Sequence, residues 1–251
     1  MPRDARGVDL EFALPPRRVV SLVPSLTETL FDLGAGGAVV GITDYCIFPP
    51  DLTATRVGGT KNPDLAAIRA LKPDLVHLNV EENLKRHADE IATFAPIFVT
   101  EPKSVDDVDA LFGTLGMIHG VPVAARRLQT MLKKAEAGFA GRQPFTFACP
   151  IWKDPWMWCG GDTYVSSLIE TAGGVNLLSG QSRYPKRELS EVVSMSPDVI
   201  FLPDELYLFT QADAAELREQ STGRVVGPFP GYLVTWHGSR TIAGLEFLVS
   251  V

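Results

Sequence analysis

Two segments of this chain repeat one another. DLAAIRALKPDLVHL (residues 64–78) and ELSEVVSMSPDVIFL (residues 188–202) each open on an acidic residue, run through an amphipathic helical pattern, reach Pro-Asp at the same offset and end in an apolar strand. A second echo precedes each one: LFDLGAGG (30–37) and LIETAGG (168–174) both close a helix on glycines. Helix-Pro-Asp-strand is common in α/β proteins taken singly. Two echoes in the same order predict two lobes of similar plan, and strands alternating with helical patterns predict parallel α/β layers in each.

The remaining punctuation fits this plan. RRVVSLVPS reads as a buried strand over 19–23 and a turn at Pro24. Ser25-Leu-Thr-Glu28 then fits a capping box, with Ser25 capping a helix over 26–33 that Gly34 ends and Glu28 reaching back to the cap. Further strands are expected over 38–42 and 75–78. Ser104 is placed to cap a helix carrying Val108, Leu111, Phe112, Leu115 and Ile118, which Gly120 stops. Pro122 suits the first turn of the next helix, where Ala124, Leu128, Met131, Leu132, Ala135 and Phe139 recur at helical spacing. That helix is expected to join the lobes as a rod permitting little hinge motion, giving a first lobe over 1–120, a connecting helix over 121–141 and a second lobe over 142–251.

The second lobe opens with a strand over 145–149, and IWKDPWMWCGGDTY (151–164) then holds three of the chain's four tryptophans. Tryptophan is usually buried with its indole N–H satisfied, so a core strand is one reading. The other is a wall for a large, flat ligand. Pro155 interrupts any simple central strand. Trp156 and Trp158, two apart, are expected to share a face at a strand's carboxyl end, where open α/β sheets bind ligands.

Composition narrows the classes. A net charge of −7 with an isoelectric point near 5.2 opposes binding to a phosphate backbone. No run approaches the roughly 20 apolar residues of a membrane span, and MPRDARGVDLEF has no secretory pattern, so as written the chain is expected in the cytoplasm, or in the periplasm or at the cell surface if the native N-terminus is longer. Cys46, Cys149 and Cys159 show no C-x-x-C spacing, which points away from a disulfide scaffold or cysteine zinc site; a single Cys149–Cys159 bridge stays open.

RRVVSLVPSLTETLFDLG, VVGITDYCIFPP, RVGGTKNPDLAAIRALKPDLV, DTYVSSLIETAGGVNLL and LVTWHGSRTIAGLEFL, in that order, resemble the helical-backbone substrate-binding proteins, which deliver cobalamin, iron-siderophores or haem to ABC importers. The resemblance implies two Rossmann-like α/β lobes, each with a mostly parallel sheet, joined by one long backbone helix. It implies a non-enzymatic binder, needing no cofactor, whose ligand is a metal chelate held between the lobes, cobalamin first. It places Tyr45 where an aromatic lies against the corrin, and the loop of Thr235, Trp236, His237, Gly238 and Arg240 where a second-lobe loop touches ligand. Importer-docking members carry a glutamate on each lobe; here Ala66 and Ser190 stand at those points, Glu191 beside the latter, which weakens the expectation of an importer permease as partner.

Chemistry adds Cys46, Thr60, Lys61 and Asn62 on the first lobe and Trp152, Trp156, Trp158 and Tyr207 on the second. Aromatic rings offer flat apolar faces, while Lys61 and Arg240 suit propionate, amide or catecholate oxygens. His237 is the candidate metal ligand, weighed against a hydrogen-bonding loop histidine. Cys46 is weighed against a small buried hydrophobe. His77 reads as a core residue, and no nucleophile-base pairing is visible. A second reading is a cytosolic corrinoid, haem or siderophore chaperone, or an enzyme, on the same scaffold; a third is a paralogue that has lost its ligand.

Overall fold

A computed structural model describes residues 3–10 and 15–251. The chain divides into two compact units, Met1–Pro102 with Val108–Thr130, and Lys103–Asp107 with Met131–Val251.

In the first unit the chain runs β1 (Val19–Ser21), α1 (Pro24–Asp32), β2 (Val39–Ile42), β3 (Thr55–Arg56), α2 (Leu65–Ala70), β4 (Leu75–Asn79), α3 (Lys85–Ile91) and β5 (Ile97–Thr100). Two longer helices follow, α4 (Val105–Ile118) and α5 (Pro122–Ala137), and the division between the units falls inside both. Among the described residues the strands form one parallel sheet in the order β3-β2-β1-β4-β5. The second unit comprises β6 (Phe145–Ala148), an antiparallel pair β7 (Pro150–Trp152) and β8 (Met157–Trp158), α6 (Tyr164–Thr171), β9 (Gly174–Asn176), α7 (Leu189–Ser194), β10 (Val199–Pro203), α8 (Gln211–Gln220), β11 (Arg224–Phe229), α9 (Tyr232–Thr235) and α10 (Arg240–Val249). Its parallel sheet has the order β11-β10-β6-β9.

The two orders are the same once the echoes are laid on each other: β2-β1-β4-β5 in the first unit corresponds to β9-β6-β10-β11 in the second. The reason for the repeated Pro-Asp is visible in both. Asp74 accepts the N–H groups of Arg17 and Arg18, each at 2.8 Å, at the entry to β1. Asp198 accepts the N–H and hydroxyl of Thr146, each at 2.7 Å, in β6, and those donors hold its carboxyl below the usual range. Each carboxylate thus ties the start of one strand to the loop before its neighbour. Two residues earlier in each copy, Lys72 (φ 47°) and Ser196 (φ 55°) turn through the left-handed region.

Helix starts follow the local chemistry, with one correction. Ser104 caps α4 by accepting from Asp107 N–H at 3.0 Å, and Asp64 caps α2 by accepting from Ala67 N–H at 2.9 Å. The expected box at Ser25 and Glu28 does not form. α1 begins on Pro24, with Val23 as the extended residue before it and no side-chain cap. Proline has φ preset for the first helical position and no N–H to satisfy, so the helix starts on it and Ser25 lies buried within the first turn. Where α4 turns into α5, Gly116 leaves room for Ala125, and any Cβ there would strike it.

Buried beneath the first sheet, His77 of β4 meets His119 at the end of α4, Nε2 to Nε2 at 3.0 Å. One ring must donate there. Since His77 Nδ1 has no partner, the less costly tautomer puts the proton on His77 Nε2 and leaves a bare lone pair, not an N–H, in the core.

Candidate functional site

Both parallel sheets gather their chemistry at the carboxyl ends of their strands. In the first unit the loop after β2 carries Tyr45, 61% exposed and the most open aromatic of that edge. Arg56 fixes this loop, one guanidinium nitrogen donating to the carbonyls of Thr43 at 2.7 Å and Cys46 at 2.8 Å, so that Tyr45 sits on a bracketed turn. The ring packs over Gly59, where an added Cβ would lie 3.2 Å from Cε2, and the Asn62 side chain closes on the same glycine. Asn83 clips two loops together, donating to the carbonyls of Leu22 at 3.1 Å and Thr60 at 3.0 Å. Lys61 donates its ammonium to the Glu81 carbonyl. Tyr45, Lys61 and Asn62 are therefore presented to solvent on one edge, with Thr60 largely covered beneath them.

Cys46 is not part of that surface. Its side chain is sealed, with Sγ 3.2 Å from the hydroxyls of both Thr27 and Thr43. It packs as a small polar-tolerant hydrophobe and cannot reach a ligand, a correction to the expected set.

In the second unit the three clustered tryptophans have different fates. Trp158 is fully buried and donates its indole N–H to the Arg187 carbonyl at 3.0 Å. Trp156 stacks on Trp158 (5.6 Å between centroids, 22° between planes) and on Phe209 (5.9 Å, 16°). The Lys153 ammonium stands 5.5 Å from the Trp156 ring while pairing with Asp213 at 2.6 Å and Glu216 at 2.7 Å. These two indoles are core: their faces are spent on each other, on Phe209 and on a cation. Trp158 is removed from the candidate set outright, and Trp156, 9% exposed, offers a ligand no open face. Trp152, on the opposite side of β7, is 42% exposed and meets Tyr207 edge-on at 5.5 Å. That pair, flanked by the exposed Leu206 and Leu208, is the open aromatic surface of this unit.

The loop of residues 230–239 is organised by a residue that sequence reasoning missed. Glu205 accepts the Trp236 indole N–H and the Thr235 hydroxyl, each at 2.7 Å. Burial pushes its carboxyl above the ordinary value, and nearby Asp204 adds to the push against the pull of the two donors. Arg240 lies over the Tyr232 ring at 5.1 Å, Gly238 turns at φ 88°, and His237 stands edge-on to Tyr164 at 6.1 Å. Burial lowers the His237 pKa to about 4, so its imidazole is neutral at pH 7. Among the described residues no group of three or more His, Cys, Asp or Glu side chains is placed to hold a metal ion.

Arg56, Asn83 and Glu205 carried no signal in periodicity or spacing; their partners lie outside any local repeat, 10 and 13 positions away for Arg56 and more than 20 for the partners that Asn83 donates to and Glu205 accepts from. Glu205→Gln turns an amide NH2 toward one of two donors. It is expected to cost about 1–3 kcal/mol and to shift Trp236 emission. Urea unfolding followed by fluorescence checks this, and an unchanged midpoint and spectrum would show that Glu205 does not hold the loop.

Two parallel α/β units that display aromatic and cationic side chains at their strand ends define a small-molecule-binding scaffold. The chain belongs to the periplasmic binding protein family, which it matches over residues 19–222, and the resemblance read from its motifs holds. It is 27% identical to an uncharacterised ABC transporter substrate-binding lipoprotein, YvrC, of Bacillus subtilis, over 98% of this chain and 82% of that one. The vitamin B12-binding protein of Vibrio cholerae is 25% identical over 74% of this chain and 70% of its own length. The solved periplasmic vitamin B12-binding protein BtuF of that organism superposes with a TM-score of 0.79 at 22% identity, covering 94% of this chain and 96% of its own. The periplasmic haem-binding protein RhuT of Roseiflexus sp. RS-1 superposes with a TM-score of 0.74 at 22% identity over 93% and 97%. Among the described residues no helix is long and apolar enough to cross a membrane.

Proposed function

We propose that this protein is a non-enzymatic binder of a large, flat metal chelate, cobalamin before haem, working as the substrate-binding component of an ABC importer. The observation that carries the reading is the exposure of Tyr45 in the first unit and of Trp152, edge-on to a half-buried Tyr207, in the second, while Trp156, Trp158 and Phe209 are buried. A large side chain held open by a bracketed loop is costly to keep in water, and covering its flat face with a macrocycle recovers that cost. Lys61, on the same edge as Tyr45, supplies a cation for the ligand's polar rim. Cobalamin ranks first because the relative named for a ligand binds vitamin B12; haem stays as a second reading because a haem-binding structure shares the fold nearly as well.

Titration of tryptophan fluorescence with cyanocobalamin, haemin and a ferric catecholate siderophore tests this directly. Saturable quenching by cyanocobalamin at micromolar concentration is expected, and Tyr45→Ala and Trp152→Ala are each expected to weaken it by roughly tenfold, about 1.4 kcal/mol. Quenching by haemin alone moves the assignment to haem, and no response to any of the three at about 100 µM overturns the binder. If His237 ligates the chelated metal, His237→Ala changes the visible spectrum of the complex; an unchanged spectrum removes it.

Docking on an importer would proceed without a carboxylate at Ala66 or Ser190, both exposed, since Glu191 is turned back to accept the Glu188 N–H at 3.2 Å. Because one relative is a lipoprotein, the working location is taken to be outside the cytoplasm; recovery of the native protein in the soluble cytosol would favour the chaperone reading instead.

A further inference from the structure

We infer that Cys149 and Cys159 are a cross-linking pair, and that in an oxidising compartment they form a disulfide closing the base of the aromatic hairpin. β7 and β8 run antiparallel with Pro150 opposite Trp158. One step outward, Cys149 falls opposite Cys159, and the Cys159 N–H donates to the Cys149 carbonyl at 2.8 Å. Residues directly opposed in an antiparallel pair hold their Cα atoms about 4.5–5.5 Å apart, within the range disulfides use. Opposed residues also project to the same face, so the two thiols point into one space. Both are buried, and both are thiols in this structure. The far side of Cys159 is fixed too, its carbonyl accepting from the Asn176 amide at 3.1 Å.

The folded dithiol is unreactive by itself. Contact with the Cys159 thiol and burial push the Cys149 pKa well above the ordinary thiol value. The bond therefore forms as the hairpin folds, before the pair is covered. A thiolate of one cysteine attacks a small-molecule disulfide such as oxidised glutathione, releasing one thiol and leaving a mixed disulfide. The second cysteine, as its thiolate, attacks the protein sulfur of that adduct and releases the other thiol. Two protein thiols are oxidised and one external disulfide is reduced to two thiols, the two protons passing by way of solvent from the protein thiols to the released thiolates. Cys46, sealed between Thr27 and Thr43, has no cysteine opposite it and stays reduced.

The test is independent of any ligand. Protein reduced and unfolded is refolded in a glutathione redox buffer, then denatured, alkylated and digested for mass spectrometry. One alkylated residue, Cys46, is expected, with a linked peptide joining Cys149 to Cys159. The melting temperature is expected to exceed that of the dithiothreitol-treated protein by roughly 5 °C. Cys46→Ser keeps the linked peptide, and Cys149→Ser abolishes it. Three alkylated cysteines in folded, redox-buffered protein, or a bridge that includes Cys46, overturns the assignment; the Cys46→Ser readout decides it even if Cys149→Ser does not fold.

Discussion

Trp158→Ala is expected to destabilise the second unit by about 4 kcal/mol, within the range for deleting a buried indole. The side chain is fully buried among Leu178, Leu189, Val192, Leu202 and its stacking partner Trp156. Removing it opens a cavity, exposes one face of Trp156 and leaves the Arg187 carbonyl without the indole donor it holds at 3.0 Å. Trp152→Ala, three residues into the same hairpin and 42% exposed, is expected to change stability by less than about 1 kcal/mol. Urea unfolding of the two variants separates the roles. If Trp158→Ala proves nearly neutral in stability while Trp152→Ala unfolds the protein, the division of this hairpin into a buried and a displayed side is wrong.

That division marks where sequence reasoning stopped. The duplicated plan was legible because it rests on local chemistry repeated at a fixed offset. Asp64 caps a helix and Lys72 and Ser196 turn within their own echoes, whereas the ties of Asp74 and Asp198 to neighbouring strands, 57 and 52 positions away, became visible only in the fold. Period-two spacing likewise placed Trp156 and Trp158 on one face. It could not say whether that face looked inward. The answer depends on Phe209 and on Lys153 reaching Asp213, sixty positions away, contacts that exist only once the fold is assembled. Separation along the chain also hid Glu205 from Trp236, 31 positions away, and Asn83 from Leu22, 61 positions away, since a single polar residue in a loop has no period to betray it. Ser25 failed for a more local reason: a proline one residue earlier took the helix start that the box pattern predicted.

Acid is expected to unfold this protein well above the pH at which its carboxylates protonate, through histidines buried in each unit. Burial lowers the pKa of His119 and of His237 to about 4, and holds that of His77 well below its ordinary value, with His119 beside it adding to the effect; Asp74 partly offsets the shift at His119. In the unfolded chain each titrates near 6.5, so between the two values the unfolded state binds protons that the native state refuses. Stability is therefore full above about pH 7.5 and falls as pH drops through 6.5 toward 4. At pH 5 the loss comes to about 2 kcal/mol for each group shifted this far, or about 4 kcal/mol for His119 and His237 together. Each unit bears its own share, about 2 kcal/mol, a large fraction of the stability of a domain at the lower end of the ordinary range. Urea midpoints measured from pH 8 to 4.5 check the slope. The double variant His77→Leu/His119→Leu removes both members of the first-unit pair, so no buried nitrogen is left to charge, and the pH dependence of that unit should flatten. A wild-type midpoint that does not move between pH 7 and 5, or a double variant that keeps the wild-type slope, shows that these rings are not what acid attacks.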